Sequence, residues 1–499
     1  MWRCWQRYQF GVIVLLLQVL FLILFGLFSR YHQRATGGYE IPQHPTDIRL
    51  PSNNTAETDY VNTYYPLFQD VHVMIFIGFA YLMTFLRRYG FMSLSINLLL
   101  SCIVIQWAMI VNGFWSEHFA ESGFFYVSVE ELLSCDFAAA TVLITMGALL
   151  GKVSPAQYVI IAMVETSVGL SIEHFVIEVL KVNDVGDSMV VHAFGAYFGL
   201  AVSFAIADKR QREHDNEGSN YNSDVFSMIG ALFLWIFWPS FNGALGHPES
   251  ARHRALINTY LSLVACTVFT FILSQLVDTE KKMRFNIVHI ANSTLAGGVG
   301  VGTIANVILY PFHALLIGCG AAVISVFGFA YITPFLAKRL KIHDTCGVNN
   351  LHGMPGVYAG ILSFILACSY DTKMYGKNLA AIYPSVESGE RNEVQQGLYQ
   401  LAGLATVLAS SIISGFLTGL CLRLPLWNQV DDAEYYADAP YFEVPQGYEL
   451  TKKYDKAEEQ THCQTQGSFL TSVQVNGNDK AERKNTSDSA DIRKRGSDK

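Results

Sequence analysis

The chain has 499 residues, of which 51% are apolar and 15% charged, with a formal net charge of −8. So little charge excludes intrinsic disorder, a collagen-like repeat or a disulfide-stapled secreted domain for most of the length, and the scattered basic residues leave no nucleic-acid surface. Residues 425–499 hold 10 Lys/Arg and 14 Asp/Glu, 24 of the 76 charged residues, so 1–424 reads as a membrane body and 425–499 as a disordered polar tail.

The first apolar run, 10–28, is long enough to cross a bilayer. Arg3 and Arg7 precede it, as they would a signal peptide. The run exceeds an ordinary signal core, however, and no small-residue cleavage site follows, so residues 1–30 read as a retained helix. A polar loop, 31–65, comes next and carries the sequon Asn53-Asn54-Thr55. Eleven further apolar stretches follow, near 67–86, 93–115, 132–150, 156–180, 188–206, 224–243, 256–277, 287–308, 312–336, 348–369 and 397–421. The expectation is an all-α polytopic membrane protein of about twelve transmembrane helices.

Basic residues orient these helices. Arg87-Arg88, Lys152, Lys209-Arg210, Arg212, Lys281-Lys282, Arg284, Lys338-Arg339 and Lys341 fall at alternate turns, on the side of Arg3 and Arg7. Both termini are then cytoplasmic, the loop 31–65 is extracellular, and Asn53 is open to N-glycosylation. Arg252 and Arg254 break the pattern. The nine cysteines form no CxxC pair and read as small apolar filler.

Ionisable residues inside spans are costly and so are functional candidates. Two segments match: His192-Ala-Phe-Gly195-Ala-Tyr197-Phe-Gly199 and His352-Gly-Met-Pro-Gly356-Val-Tyr358-Ala-Gly360. Each sets a histidine before a Gly-x-Tyr-x-Gly face, which lets helix backbones approach closely. A lone histidine in a span is more often a hydrogen-bonded structural residue. Two in equivalent halves can face each other, share a proton and offer a polar permeant one donor and one acceptor. Two imidazoles lack the further ligands of a metal site, and no cofactor is implied. His289 and His313 have no counterpart and read as packing residues, and His72 reads as a helix start. Asp184 reads as a helix cap at a pore mouth. Glu165, Glu173 and Asp136 sit in apolar context, where an unpaired carboxylate is protonated or faces water. Phe137 and Phe241 lie at span ends, where a phenylalanine usually packs.

These segments resemble the Rh glycoproteins of the ammonium transporter superfamily. The similarity runs through 65–79 (YPLFQDVHVMIFIGF), 194–202 (FGAYFGLAV), 233–242 (FLWIFWPSFN), 258–267 (NTYLSLVACT), 293–303 (STLAGGVGVGT) and 344–356 (DTCGVNNLHGMPG). The resemblance implies an inverted-repeat fold, a plasma-membrane homotrimer with a pore through each protomer, and ammonia or ammonium as permeant, with methylammonium as its analogue. It assigns His192 and His352 to the twin pore histidines, Phe137 and Phe241 to the external gate, and Asp184 to the mouth. Gly243 and Asn286 depart from the family pattern. A conduit for CO₂ and a membrane anchor holding a cytoskeletal protein through the tail are the competing readings. No nucleophile elbow, Walker loop or dinucleotide fingerprint points to an enzyme.

Overall fold

The structure is a computed structural model that describes residues 2–32, 60–212 and 214–445. Asn53 with most of its loop, and the tail beyond 445, lie outside the described residues. Eleven helices among these residues are long and apolar enough to cross a membrane. They are α1 (Trp2–Phe28), α2 (Val61–Phe85), α3 (Gly90–Trp115), α4 (Val129–Leu149), α5 (Pro155–Val179), α6 (Ser188–Ala205), α7 (Tyr221–Gly243), α8 (Glu249–Leu276), α10 (Pro311–Leu340), α11 (Asn349–Ser369) and α12 (Glu393–Leu422). The ninth expected span, 287–308, is not one rod. It breaks into a wide π turn, His289–Ser293, and the short α9 (Ala296–Gly302). Its AGGVGVG sequence is apolar enough to read as a span, yet glycine holds a continuous helix poorly.

Helices α2–α6 and α7–α11 form two runs of five. An odd number makes the second run enter from the opposite face, which is the logic of an inverted repeat. Helices α6 and α11 close the two runs. The small faces expected from sequence do bring backbones together. A Cβ on Gly195 would lie 2.6 Å from the Thr141 carbonyl oxygen of α4, and one on Gly356 would lie 2.5 Å from the Ser188 carbonyl oxygen of α6. Backbone on the far side cannot yield as a side chain would. Gly195→Ala is therefore expected to cost about 1–3 kcal/mol, the usual penalty of overpacking. A lowered apparent Tm of the detergent-solubilised protein would show it, and an unchanged Tm would contradict the packing.

Helix α1 is peripheral. Phe21 stacks on Trp107 of α3, and β1 (Ser29–Tyr31) pairs in parallel with β2 (Phe125–Val127). Gln9 Nε2 donates to the Leu426 carbonyl at 2.7 Å, and the Asn428 N–H donates to Gln9 Oε1 at 2.9 Å.

Composition alone misplaced the end of the body: the compact unit extends to Pro440, past the boundary expected at Pro425. Tyr436 is fully buried and donates its hydroxyl to the Gln211 carbonyl. Asp438 accepts from the backbone N–H groups of Phe91 and Met92 and so caps the start of α3. Polar residues here satisfy loop backbone between helices, so charge density does not mark where folding stops.

Arg252 and Arg254, which disturb the basic-residue pattern, are built into α8. Arg252 donates to the Gly246 carbonyl and sits over the Tyr64 ring, while Arg254 donates to the Asn306 carbonyl and sits over Tyr375. Cations anchored in the fold this way say little about which side a loop occupies.

Candidate functional site

His192 and His352 each lie in a π-helical turn that opens a membrane helix, Ser188–Ala193 for α6 and Asn349–Gly353 for α11. Such wide turns redirect a side chain within a helix and recur at functional sites. The two imidazoles meet: Nδ1 to Nδ1 is 3.1 Å, and the rings stack at 5.2 Å between centroids, 14° apart in plane. Only one proton fits between two nitrogens at that distance, so one ring donates and the other accepts. Both side chains are almost fully buried, at 1% and 2% exposure.

Phe137 on α4 and Phe241 on α7 also meet, edge to face, with centroids 4.5 Å apart and planes at 62°. The Phe241 ring then lies 5.3 Å from His192, and Phe79 of α2 lies 6.1 Å from His352 on the other side. The sequence-predicted residues thus form one contiguous column: Phe137, Phe241, His192, His352. A cavity of about 190 Å³ next to His352 is lined by apolar side chains such as Phe79, Leu143 and Leu351 and by polar ones that include Asp224, Asn292 and Asp344.

Asp184 does not enter the column. It caps the turn that carries His192, accepting from the N–H groups of Met189 and Val190 and from the Thr303 hydroxyl. Burial holds its pKa above the ordinary carboxylate value, against those bonds. Beside it a cavity of about 390 Å³ is lined by Glu173 and Asp187 among others.

Sequence reasoning missed Asp344, which caps the turn carrying His352 through the N–H groups of Gly347, Val348 and Asn349. The signal was present: Asp184 precedes His192 by eight residues, and Asp344 precedes His352 by eight. Asp344 is buried near Lys152, whose pKa burial pushes down to about 8 while Asp344 opposes that fall. The Lys152 ammonium donates to the His343 carbonyl at 2.6 Å.

Trp238 was also undervalued. Its indole stacks on His192 at 5.5 Å, and its Nε1, His192 Nε2 and Asn242 Oδ1 are buried atoms without a hydrogen-bond partner. Buried polar atoms usually have a partner, and His192 Nε2 and Trp238 Nε1 lie on two rings stacked against each other. Asn242 itself is held by Nδ2 bonds to Thr259 Oγ1 and the Gly298 carbonyl.

Several other candidates have partners. His72 is no helix start: it lies within α2 and binds Asp136, 3.1 Å from Nδ1 to Oδ2. Glu165 accepts from the Thr145 hydroxyl, His289 contacts Ser274, and His313 contacts the Tyr370 hydroxyl. Among the described residues no cluster of three metal-ligating side chains is present.

Comparison with known proteins adds a lineage to this geometry. The Ammonium Transporter Family matches residues 45–441. Ammonium transporter Rh type C of Homo sapiens is 43% identical over 452 residues, covering 89% of this chain and 92% of that protein. Ammonium transporter Rh type B of Xenopus tropicalis is 42% identical, with 89% and 94% covered. Among solved structures, Nitrosomonas europaea Rh50 superposes with a TM-score of 0.66 at 32% identity, covering 82% of this chain and 98% of that one.

Proposed function

The chain belongs to the ammonium transporter family, and from that premise we propose that it conducts ammonia through the column of buried aromatic and histidine side chains. Ammonium, the permeant's protonated form, sheds its proton at a mouth closed by Phe137 and Phe241, and the neutral molecule passes His192 and His352. One observation carries this reading: two buried imidazoles in direct contact, flanked by the aromatic rings of Phe241, Trp238 and Phe79.

Energetics favour the neutral species. Moving a bare cation into a low-dielectric lumen costs tens of kcal/mol on a Born estimate, whereas ammonia forfeits only a few hydrogen bonds. Deprotonation costs about 1.4 kcal/mol for each unit by which ammonium's pKa exceeds the ambient pH. Shedding the proton is much the cheaper route. A lumen that admits only the neutral form also rejects K⁺ and Na⁺, which have no neutral form to offer. Flux is then electroneutral and runs down the ammonia gradient in either direction. Assembly as a homotrimer in the plasma membrane belongs to the same reading, and the placement of the basic residues supports cytoplasmic termini.

Stopped-flow alkalinisation of proteoliposomes given an ammonia gradient tests this. Entry faster than in protein-free liposomes, with no current under voltage clamp, is the expected result. Equal rates with and without protein would reject conduction, and a matching current would reject electroneutrality.

A further inference from the structure

Two polar residues of α2, Asp70 and His72, stand where their hydrogen bonds reach the helices that carry the two phenylalanines. Ser240, the residue before Phe241, donates its hydroxyl to Asp70 Oδ2 at 2.6 Å. Asp136, the residue before Phe137, accepts from His72 Nδ1 at 3.1 Å. Residues two apart on a helix point about 200° from one another, so Asp70 and His72 address opposite flanks of α2. Accordingly α2 packs against both α4 and α7, and each flank grips the neighbour of one ring.

We propose that Asp70 and His72 are positioning residues that set the aperture between Phe137 and Phe241, with α2 acting as a wedge that fixes the roll of both helices. This rests on the reading of the two phenylalanines as the gate. Three features make the wedge necessary. First, Pro239 lies inside α7 two residues before Phe241. It lacks an N–H, so the ladder bond to the carbonyl four residues earlier is lost where Phe241 must be held. Second, the rings meet each other and His192 through aromatic contacts, with centroids 4.5 Å apart across the pair and 5.3 Å from Phe241 to His192. Such contacts tolerate sliding. Third, a roll of about 20° moves a ring about 6 Å from the helix axis by about 2 Å, enough to change which permeant passes. Asp136 is fully buried and Ser240 nearly so, while His72 is 43% exposed, so each bond ties a buried group beside a phenylalanine to a partner of α2 that is only partly buried.

The aperture is read from selectivity by size. Proteoliposomes carrying wild type, His72→Ala, Ser240→Ala or the double variant are compared for entry of ammonia and of methylamine, and the ratio of the two rates is taken. A fold-only role would lower both rates together with the amount of folded channel and leave the ratio alone. We expect each single variant to shift the ratio by about threefold, the double variant by more, and His72→Gln, which keeps a donor toward Asp136, to stay near wild type. Phe137→Ala and Phe241→Ala serve as the gate controls. A ratio moved by the phenylalanine variants but not by His72→Ala, Ser240→Ala or both would overturn the wedge while leaving the gate intact. A ratio unmoved by the phenylalanine variants would overturn the gate reading itself, and the wedge with it.

Discussion

Replacing both His192 and His352 with alanine is expected to slow protein-dependent ammonia entry by about two orders of magnitude. A buried polar molecule that loses a hydrogen-bond partner forfeits about 1–3 kcal/mol. On the proposed path the imidazole pair presents the partners a permeant meets after the aromatic mouth, so removing both is expected to raise the barrier by about 3 kcal/mol, or about a hundredfold in rate. Either single alanine variant leaves one ring and is expected to cost about tenfold. The measurement is the stopped-flow alkalinisation rate, scaled to folded protein by size-exclusion chromatography. A double variant that conducts like wild type per folded channel would remove the histidines from the pathway. They would then be a structural contact, as a lone histidine in an apolar helix usually is.

A still larger effect is expected on folding from Asp184→Ala and Asp344→Ala. Each carboxylate satisfies three groups. For Asp184 these are the N–H groups of Met189 and Val190 and the Thr303 hydroxyl; for Asp344 they are the N–H groups of Gly347, Val348 and Asn349. A buried donor left without an acceptor costs about 1–3 kcal/mol, so three cost about 3–9 kcal/mol. That is comparable to the whole stability of many domains. Little folded protein is expected from either alanine variant, and an intermediate amount from Asp184→Asn and Asp344→Asn, which retain one acceptor oxygen. The fraction remaining monodisperse after a heating series separates these cases. Alanine variants with wild-type thermal midpoints would mean that the turns bearing the histidines are held by something other than their caps.

How much of this could be read in advance depended on whether the information was local. The apolar runs declare membrane helices because a bilayer demands length and hydrophobicity from each segment separately. His192 and His352 stood out because the repeat prints the same local pattern twice. The Asp caps were half visible: Asp184 was noticed, while Asp344 shares its spacing but is followed by the unlike residues Thr345 and Cys346. Pairings across the fold left no trace in sequence. His72 and Asp136 are 64 residues apart, and nothing beside His72 announces a carboxylate. The stacking of Trp238 on His192 was hidden in the same way, since an aromatic at a span end is so often mere anchorage. The break between His289–Ser293 and Ala296–Gly302 escaped because hydropathy counts apolar side chains and is blind to backbone continuity. The folded stretch up to Pro440 escaped because polar composition measures affinity for water, whereas Tyr436 and Asp438 serve the ends of other segments.

The meeting of two π turns, each the opening turn of its helix, also shapes the electrostatics of the lumen. Helices α6 and α11 begin where their histidines touch and run away from each other toward opposite faces. Each helix start carries the positive end of a macrodipole, about half an elementary charge, so roughly one full positive charge of peptide origin converges on the histidine pair. Asp184 and Asp344 sit at those two starts and offset it. Two ionised carboxylates exceed that charge by about one unit, so the field at the histidine pair is set by the protonation of Asp184 and Asp344 as much as by the backbone.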